Sequence, residues 1–110
     1  MAAFRLRVAT LIHAPRPDCV VPSASAGQGL RTVLNCYDQP VRVITSSDEF
    51  NSIDHILKTY GRRGRIQLKR LAPEKGRLYR IEDFLNAIKE GSDLVVLSMV
   101  MFTTGQLYPI

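Results

Sequence analysis

The sequence predicts an α/β fold, a partial three-layer α-β-α sandwich built on a mostly parallel sheet, and three observations carry that expectation. Apolar residues recur at the spacing i, i+3, i+4, i+7 in three stretches, the pattern of helices with one buried face. β-branched or aliphatic runs separate those stretches, and this alternation puts helices on the faces of a parallel sheet. The run Leu94-Val95-Val96-Leu97 is apolar at every position, as a parallel strand covered on both faces must be.

Taken in order, a first helix is expected over residues 1–14 from Phe4, Val8, Leu11 and Ile12, stopped by Pro15 and Pro17, whose rings cannot continue it. Arg5 and Arg7, with no acid beside them, also give this stretch some likeness to a transit peptide. Residues 19–21 read as a short strand. Leu30, Val33, Leu34 and Tyr37 mark the second helix, residues 41–45 a strand, and Ile53, Ile56, Leu57 and Tyr60 the third helix. Residues 66–71 form the next strand, Ile81, Phe84, Leu85 and Ile88 the last helix, and residues 94–102 the last strand. Ile66-Gln67-Leu68-Lys69 alternates apolar with polar, which assigns it to a sheet edge, whereas the apolar last strand is expected at the centre. A central strand needs a neighbour on each side, so residues 1–110 are expected to be a truncated, partial domain.

At 110 residues, with 45% hydrophobic and 23% charged residues, the chain has the size and make-up of one packed globular domain. No apolar run approaches the roughly eighteen residues of a membrane-spanning helix. Cys19 and Cys36 lack C-x-x-C spacing and a nearby histidine pair, so they read as reduced thiols of a cytoplasmic protein, with no metal site. Eight of the fifteen Lys and Arg residues fall within residues 62–80 against one acid, Glu74. Such a cluster can hold nucleic acid through phosphates, but no aromatic residues alternate with it to stack bases, and a solvated sheet edge has the same composition.

Three loops at expected strand ends could carry chemistry. Residues 22–29, Pro-Ser-Ala-Ser-Ala-Gly-Gln-Gly, are small enough for backbone amides to approach an anion at a helix N-terminus, and equally suit a Ser-capped helix start. They match neither the Walker A pattern nor the dinucleotide fingerprint. Residues 46–52 offer Phe50 for stacking on a flat ring, or else a hydrophobic staple with Ser52 as cap. Residues 98–106 bring Ser98 and a Thr103-Thr104-Gly105-Gln106 turn to the end of an apolar strand, where a buried hydroxyl needs a partner. Asp54 and His55 are neighbours that face different ways on a helix, which argues against a catalytic dyad. His13 reads as helix-end structure.

The pattern Ser98-x-Val100-x-Phe102-x-Thr104-Gly105-Gln106-x-x-x-Ile110 resembles the kynureninase stretch in which a strand leads into a Thr-Gly-Gln turn. Phe50-Asn51-Ser52 resembles the Phe-Pro-Ser/Thr segment of the same family, with Asn51 in place of the proline and Ile53 in place of the following Asp. Ser25-Ala26 is similar to the point where that family, and its class V aminotransferase relatives, hold the phosphate of pyridoxal 5'-phosphate (PLP). The likeness runs in order from about Phe4 to Ile110.

The resemblance implies a partial PLP-transferase large domain with PLP as cofactor. Ser25 and Ala26 would take the phosphate, Phe50 would stack on the ring, and Ser52 and Ser98 would make polar contacts near it. It places no catalytic residue in this chain, because the Asp that pairs with the ring nitrogen and the cofactor-linking Lys are expected beyond Ile110. The segment alone is therefore expected to be inactive and, with apolar sheet edges uncovered, prone to aggregate. It implies an amino-acid substrate, kynurenine cleaved to anthranilate and alanine being the leading reaction, in a homodimeric cytoplasmic parent without membrane or nucleic-acid partners. Met101 stands where the animal-type pattern has His, which keeps class V aminotransferases and cysteine desulfurase-like lyases open. The same residues are also compatible with a small non-enzymatic α/β module that binds phosphate or RNA, and with a decayed duplicate that has no activity.

Overall fold

A computed structural model describes residues 1–108 and contains helix α1 (Ala2–Leu11), helix α2 (Ala26–Asn35), strand β1 (Val41–Ser46), helix α3 (Asn51–Arg62), strand β2 (Ile66–Leu71), helix α4 (Ile81–Glu90) and strand β3 (Leu94–Val96). The three strands are parallel in the order β2-β1-β3. Val41 pairs with Ile66 and Val43 with both Leu68 and Leu94, so in-phase register puts apolar side chains on the same face across the sheet. The backbone N–H of Ser47 donates to the Leu71 carbonyl at 2.7 Å and carries the β1–β2 ladder one step further.

Helices cover both faces, which gives the expected three layers. Val41, Val43 and Ile66 pack against Leu34 of α2 and Ile56 and Leu57 of α3. On the opposite face Ile44 packs with Phe84 and Ala87 of α4 and with Tyr79, Met101 and Tyr108. Leu57 is fully buried, and cutting it back to Ala removes about 2–5 kcal/mol of packing. At the far end of the chain, residues 99–108 fold back on themselves: Val100 bridges antiparallel to Leu107, and Gly105, in the left-handed region at φ +71, completes the turn.

Four sequence expectations change. The strand expected at residues 19–21 is a single 3-10 turn, Pro17–Cys19, followed by half-buried Val20 and exposed Val21, because Pro17 initiates a turn and no strand among the described residues lies alongside to supply ladder bonds. β1 holds the centre of the described sheet rather than the apolar last strand. Thr45 and Ser46 sit there fully buried because Thr45 Oγ1 donates to the Val96 carbonyl at 2.8 Å and Ser46 donates to Glu49. β3 stops at Val96, since Ser98 turns to bond Glu49 instead of continuing the ladder. Helix α1 forms but packs against the 3-10 turn and adds no residue to either core cluster; Phe4, Leu11 and Ile12 are exposed. β2 does lie at an edge, and His13 does end its helix, with φ +53. Ile110, the last position of the family pattern, lies outside the described residues.

Candidate functional site

Because all three strands are parallel, their carboxyl ends share one rim, where open α/β sheets bind ligands. Helix α2 starts at that rim. Its N-cap is Ser25, whose Oγ accepts from the Gln28 N–H at 3.1 Å, while the Gln28 side-chain oxygen accepts from the Ala24 N–H at 3.0 Å. This reciprocal cap fixes the first turn and leaves the Ala26 and Gly27 amides, at the positive end of the helix dipole, with no acceptor among the described residues. Gly27 lets α2 approach α3, since a Cβ there would come within 3.1 Å of Ile56 Cδ1.

Helix α3 starts beside it. Phe50 is the N-cap residue and the helix begins at Asn51, so Ser52 lies inside the first turn and is not the cap. The two helix starts enclose a hollow of about 590 Å³ lined by Ser25, Ala26, Gly27 and Arg31 from the α2 side and by Phe50, Asn51, Ser52, His55 and Ile56 from the α3 side. That volume suits a ligand of cofactor size. No carboxylate lines it, and Arg31 supplies a fixed positive charge. Phe50 is 54% exposed, with its ring braced edge-on against Phe102, centroids 5.5 Å apart and planes at 77°.

Four of the five residues expected at the site, Ser25, Ala26, Phe50 and Ser52, thus line one hollow. Ser98 does not line it. Its N–H donates to Glu49 Oε1 at 3.0 Å and its hydroxyl to Glu49 Oε2 at 2.6 Å, and Glu49 immediately precedes Phe50. Ser46 Oγ also donates to Glu49 Oε1 at 3.0 Å, so the buried carboxylate receives three hydrogen bonds. Met101 is buried in the core beneath α4 and is no part of the hollow.

Sequence reasoning missed Arg31 and Glu49, and discounted His55. Spacing held a signal for the helix residues: Gly27 and Arg31 are i, i+4 on α2, and Ser52 and His55 are i, i+3 on α3, so each pair shares a face. Asp54, the neighbour of His55, points away to Lys58 at 2.6 Å and Arg70 at 3.1 Å, as expected of adjacent helical residues. Glu49 carried no such signal, since its partner Ser98 lies 49 residues away.

A second polar group braces the same rim. The Tyr79 hydroxyl meets Ser47 Oγ at 2.8 Å and donates to Asp48 Oδ2 at 2.6 Å. Burial, reinforced by Asp48, pushes the Tyr79 pKa up. The cationic cluster of residues 62–80 is largely occupied within the chain: Lys69 pairs with Glu90, Arg70 with Asp54, Arg77 with Glu74 and Arg80 with Glu82. Arg65 donates to the Tyr37 carbonyl at 3.4 Å. Among the described residues no helix is long and apolar enough to cross a membrane.

Comparison with protein families shows a match to the family described as Aminotransferase class-V over residues 1–110. No curated protein and no solved structure matches the chain.

Proposed function

The chain belongs to the aminotransferase class-V family, whose members are in general PLP-dependent, and we propose that it forms part of the PLP-binding large domain of an enzyme acting on an amino acid. The observation that carries this reading is the meeting of two helix starts at one hollow, with free amides and a cation on one side and an exposed aromatic ring on the other. PLP has a dianionic phosphate and a flat ring, and the donor set fits both ends. The Ser25 hydroxyl, the Ala26 and Gly27 amides and Arg31 would hold the phosphate. Phe50 would lie against the ring, and Ser52 would offer a hydroxyl at its edge. Ser98 would act on the site through Glu49. When bound, the cofactor acts as an electron sink for the bond that breaks at the amino acid.

Kynurenine, hydrolysed to anthranilate and alanine, is the leading substrate on the strength of the Ser98 to Gln106 pattern, and a cytoplasmic homodimer is the expected parent. In the complete enzyme L-kynurenine should release fluorescent anthranilate. Formation of a 2-oxo acid from an amino donor instead would make the parent an aminotransferase.

Cofactor binding is tested on the chain itself with pyridoxamine 5'-phosphate, which carries no aldehyde and cannot couple to surface lysines. It should bind more tightly than either pyridoxamine or inorganic phosphate, and Phe50→Ala should weaken it about tenfold. Equal binding of pyridoxamine and its phosphate ester would remove the reading.

A further inference from the structure

The geometry points to Glu49 as a positioning residue that, with Ser46 and Ser98, locks the Phe50 ring into the wall of the hollow. The inference rests on the cofactor reading above and gives Ser98 an indirect role in it.

Glu49 is 3% exposed and has no cation partner among the described residues. A buried carboxylate held only by neutral donors is costly to place, and removing its partners more costly still, so its three hydrogen bonds hold a definite geometry. Two of them run to Ser98, on a segment that follows β3, and one to Ser46, at the end of β1. The loop between β1 and α3 is thereby fastened at the residue directly before Phe50. A second fastening between the same two segments is the edge-to-face contact of Phe50 with Phe102. Half of the Phe50 surface is in solvent, so nothing else about its burial would fix the ring angle.

The hydrogen-bond directions separate a geometric role from an electrostatic one. Oε1 accepts from Ser46 Oγ and from the Ser98 N–H, and Oε2 accepts from the Ser98 hydroxyl. In Glu49→Gln the amide oxygen can keep the first two, and the amide nitrogen can donate to Ser98 Oγ once that hydroxyl rotates. All three contacts survive without the charge. Glu49→Ala loses all three, and Ser98→Ala loses one while keeping the backbone N–H.

The test uses the chain labelled with 4-fluorophenylalanine, whose four positions, Phe4, Phe50, Phe84 and Phe102, give fluorine signals assignable by single replacement. Phe84 is buried under the opposite face and reports folding. Glu49→Ala should shift the Phe50 and Phe102 signals toward their solvent positions with Phe84 unchanged, and weaken pyridoxamine 5'-phosphate about tenfold while leaving inorganic phosphate within about twofold. Glu49→Gln should behave as the parent chain. If Glu49→Ala also loses the Phe84 signal, the decision passes to Ser98→Ala, which must move Phe50 and Phe102 alone. Unmoved Phe50 and Phe102 signals in a folded variant, or a Gln variant as damaged as the Ala one, overturns the proposal. Failure of the parent chain to bind pyridoxamine 5'-phosphate would overturn the cofactor reading instead, and the fluorine spectra would still decide whether Glu49 fixes Phe50.

Discussion

The side-chain amide of Gln106 clamps the backbone of Tyr79 in both directions: its oxygen accepts from the Tyr79 N–H at 3.0 Å and its nitrogen donates to the Tyr79 carbonyl at 2.7 Å. The clamp fastens the C-terminal turn to the segment that enters α4, and it holds Tyr79 where its hydroxyl reaches Ser47 and Asp48 on the β1 loop. Gln106→Ala leaves both backbone groups half-buried without partners and should lower stability by about 2 kcal/mol. Gln106→Glu keeps one contact and sets a carboxylate against a carbonyl, so it should be no milder. Urea midpoints of the three chains measure this, and an unchanged midpoint for the Ala variant would show that the clamp carries no stability.

Gly91 ends α4 with φ +118, a conformation that side chains resist, and a Cβ there would collide with the Arg42 guanidinium. That guanidinium is bonded to Asp93 at 3.0 Å, and the Arg42 N–H also donates to Asp93, so it has little freedom to withdraw. Gly91→Ala should therefore cost about 1–3 kcal/mol. Gly64, at φ +69 with open space around it, sets a floor for comparison: Gly64→Ala carries only the milder left-handed backbone penalty, about 1 kcal/mol, with no collision. Thermal unfolding should rank the Gly91 variant below the Gly64 variant, and equal losses would remove the Arg42 collision from the account.

How much of this was legible in the sequence follows from which relationships are local. Helices α2, α3 and α4 were readable because Leu34, Ile56, Leu57 and Phe84 sit on periodic stripes that the core buries. The β2 edge was readable from alternation. The order of strands within the sheet was not, since an apolar run reports burial on two faces but says nothing about partners, and β1 buries Thr45 and Ser46 through bonds to residues outside the strand. The strand expected at residues 19–21 failed for the same reason: its β-branched residues had no neighbour to pair with among the described residues. At the site, Ser25 and Phe50 could be joined by the rule that ligands gather at strand carboxyl ends. Arg31 needed the azimuth of α2, and Glu49 needed the approach of Ser98, neither of which a linear pattern records.

Alkaline pH should unfold the chain through two tyrosines. Burial raises the pKa of Tyr79 above the ordinary 10.0, with the hydrogen bond to Asp48 adding to it, and raises Tyr108 further, helped by the charges of Tyr79, Glu49 and Asp48. A folded pKa above the unfolded one means that the stabilisation is complete below about pH 10 and is lost as pH rises through the folded values. The Tyr108 hydroxyl is buried with no partner among the described residues, so Tyr108→Phe should keep or raise stability at neutral pH, by up to about 1 kcal/mol, and make the alkaline loss shallower. Tyr79→Phe should destabilise at neutral pH, because it strips Ser47 and Asp48 of their partner. Tyrosinate absorbance followed together with circular dichroism checks both, and titration of all four tyrosines before any unfolding would contradict the prediction.

Arg31 and Phe50 should divide the proposed ligand between them. Arg31 lies one helical turn beyond Gly27 on the hollow's α2 wall, and a guanidinium there contributes a charge-assisted contact to a phosphate, about tenfold in affinity. Arg31→Ala should then weaken pyridoxamine 5'-phosphate and inorganic phosphate alike, flatten the dependence of binding on salt, and leave pyridoxamine untouched. Arg31→Lys should recover part of the loss, since it restores the charge without the planar fork. Phe50→Ala should do the converse, sparing inorganic phosphate and weakening whatever carries the ring. If the two walls act independently the double variant's loss equals the sum of the single losses in free energy. A double variant no weaker than Phe50→Ala alone would mean that the phosphate reaches Arg31 only when the ring is already seated, and calorimetric titration of the four chains distinguishes the two cases.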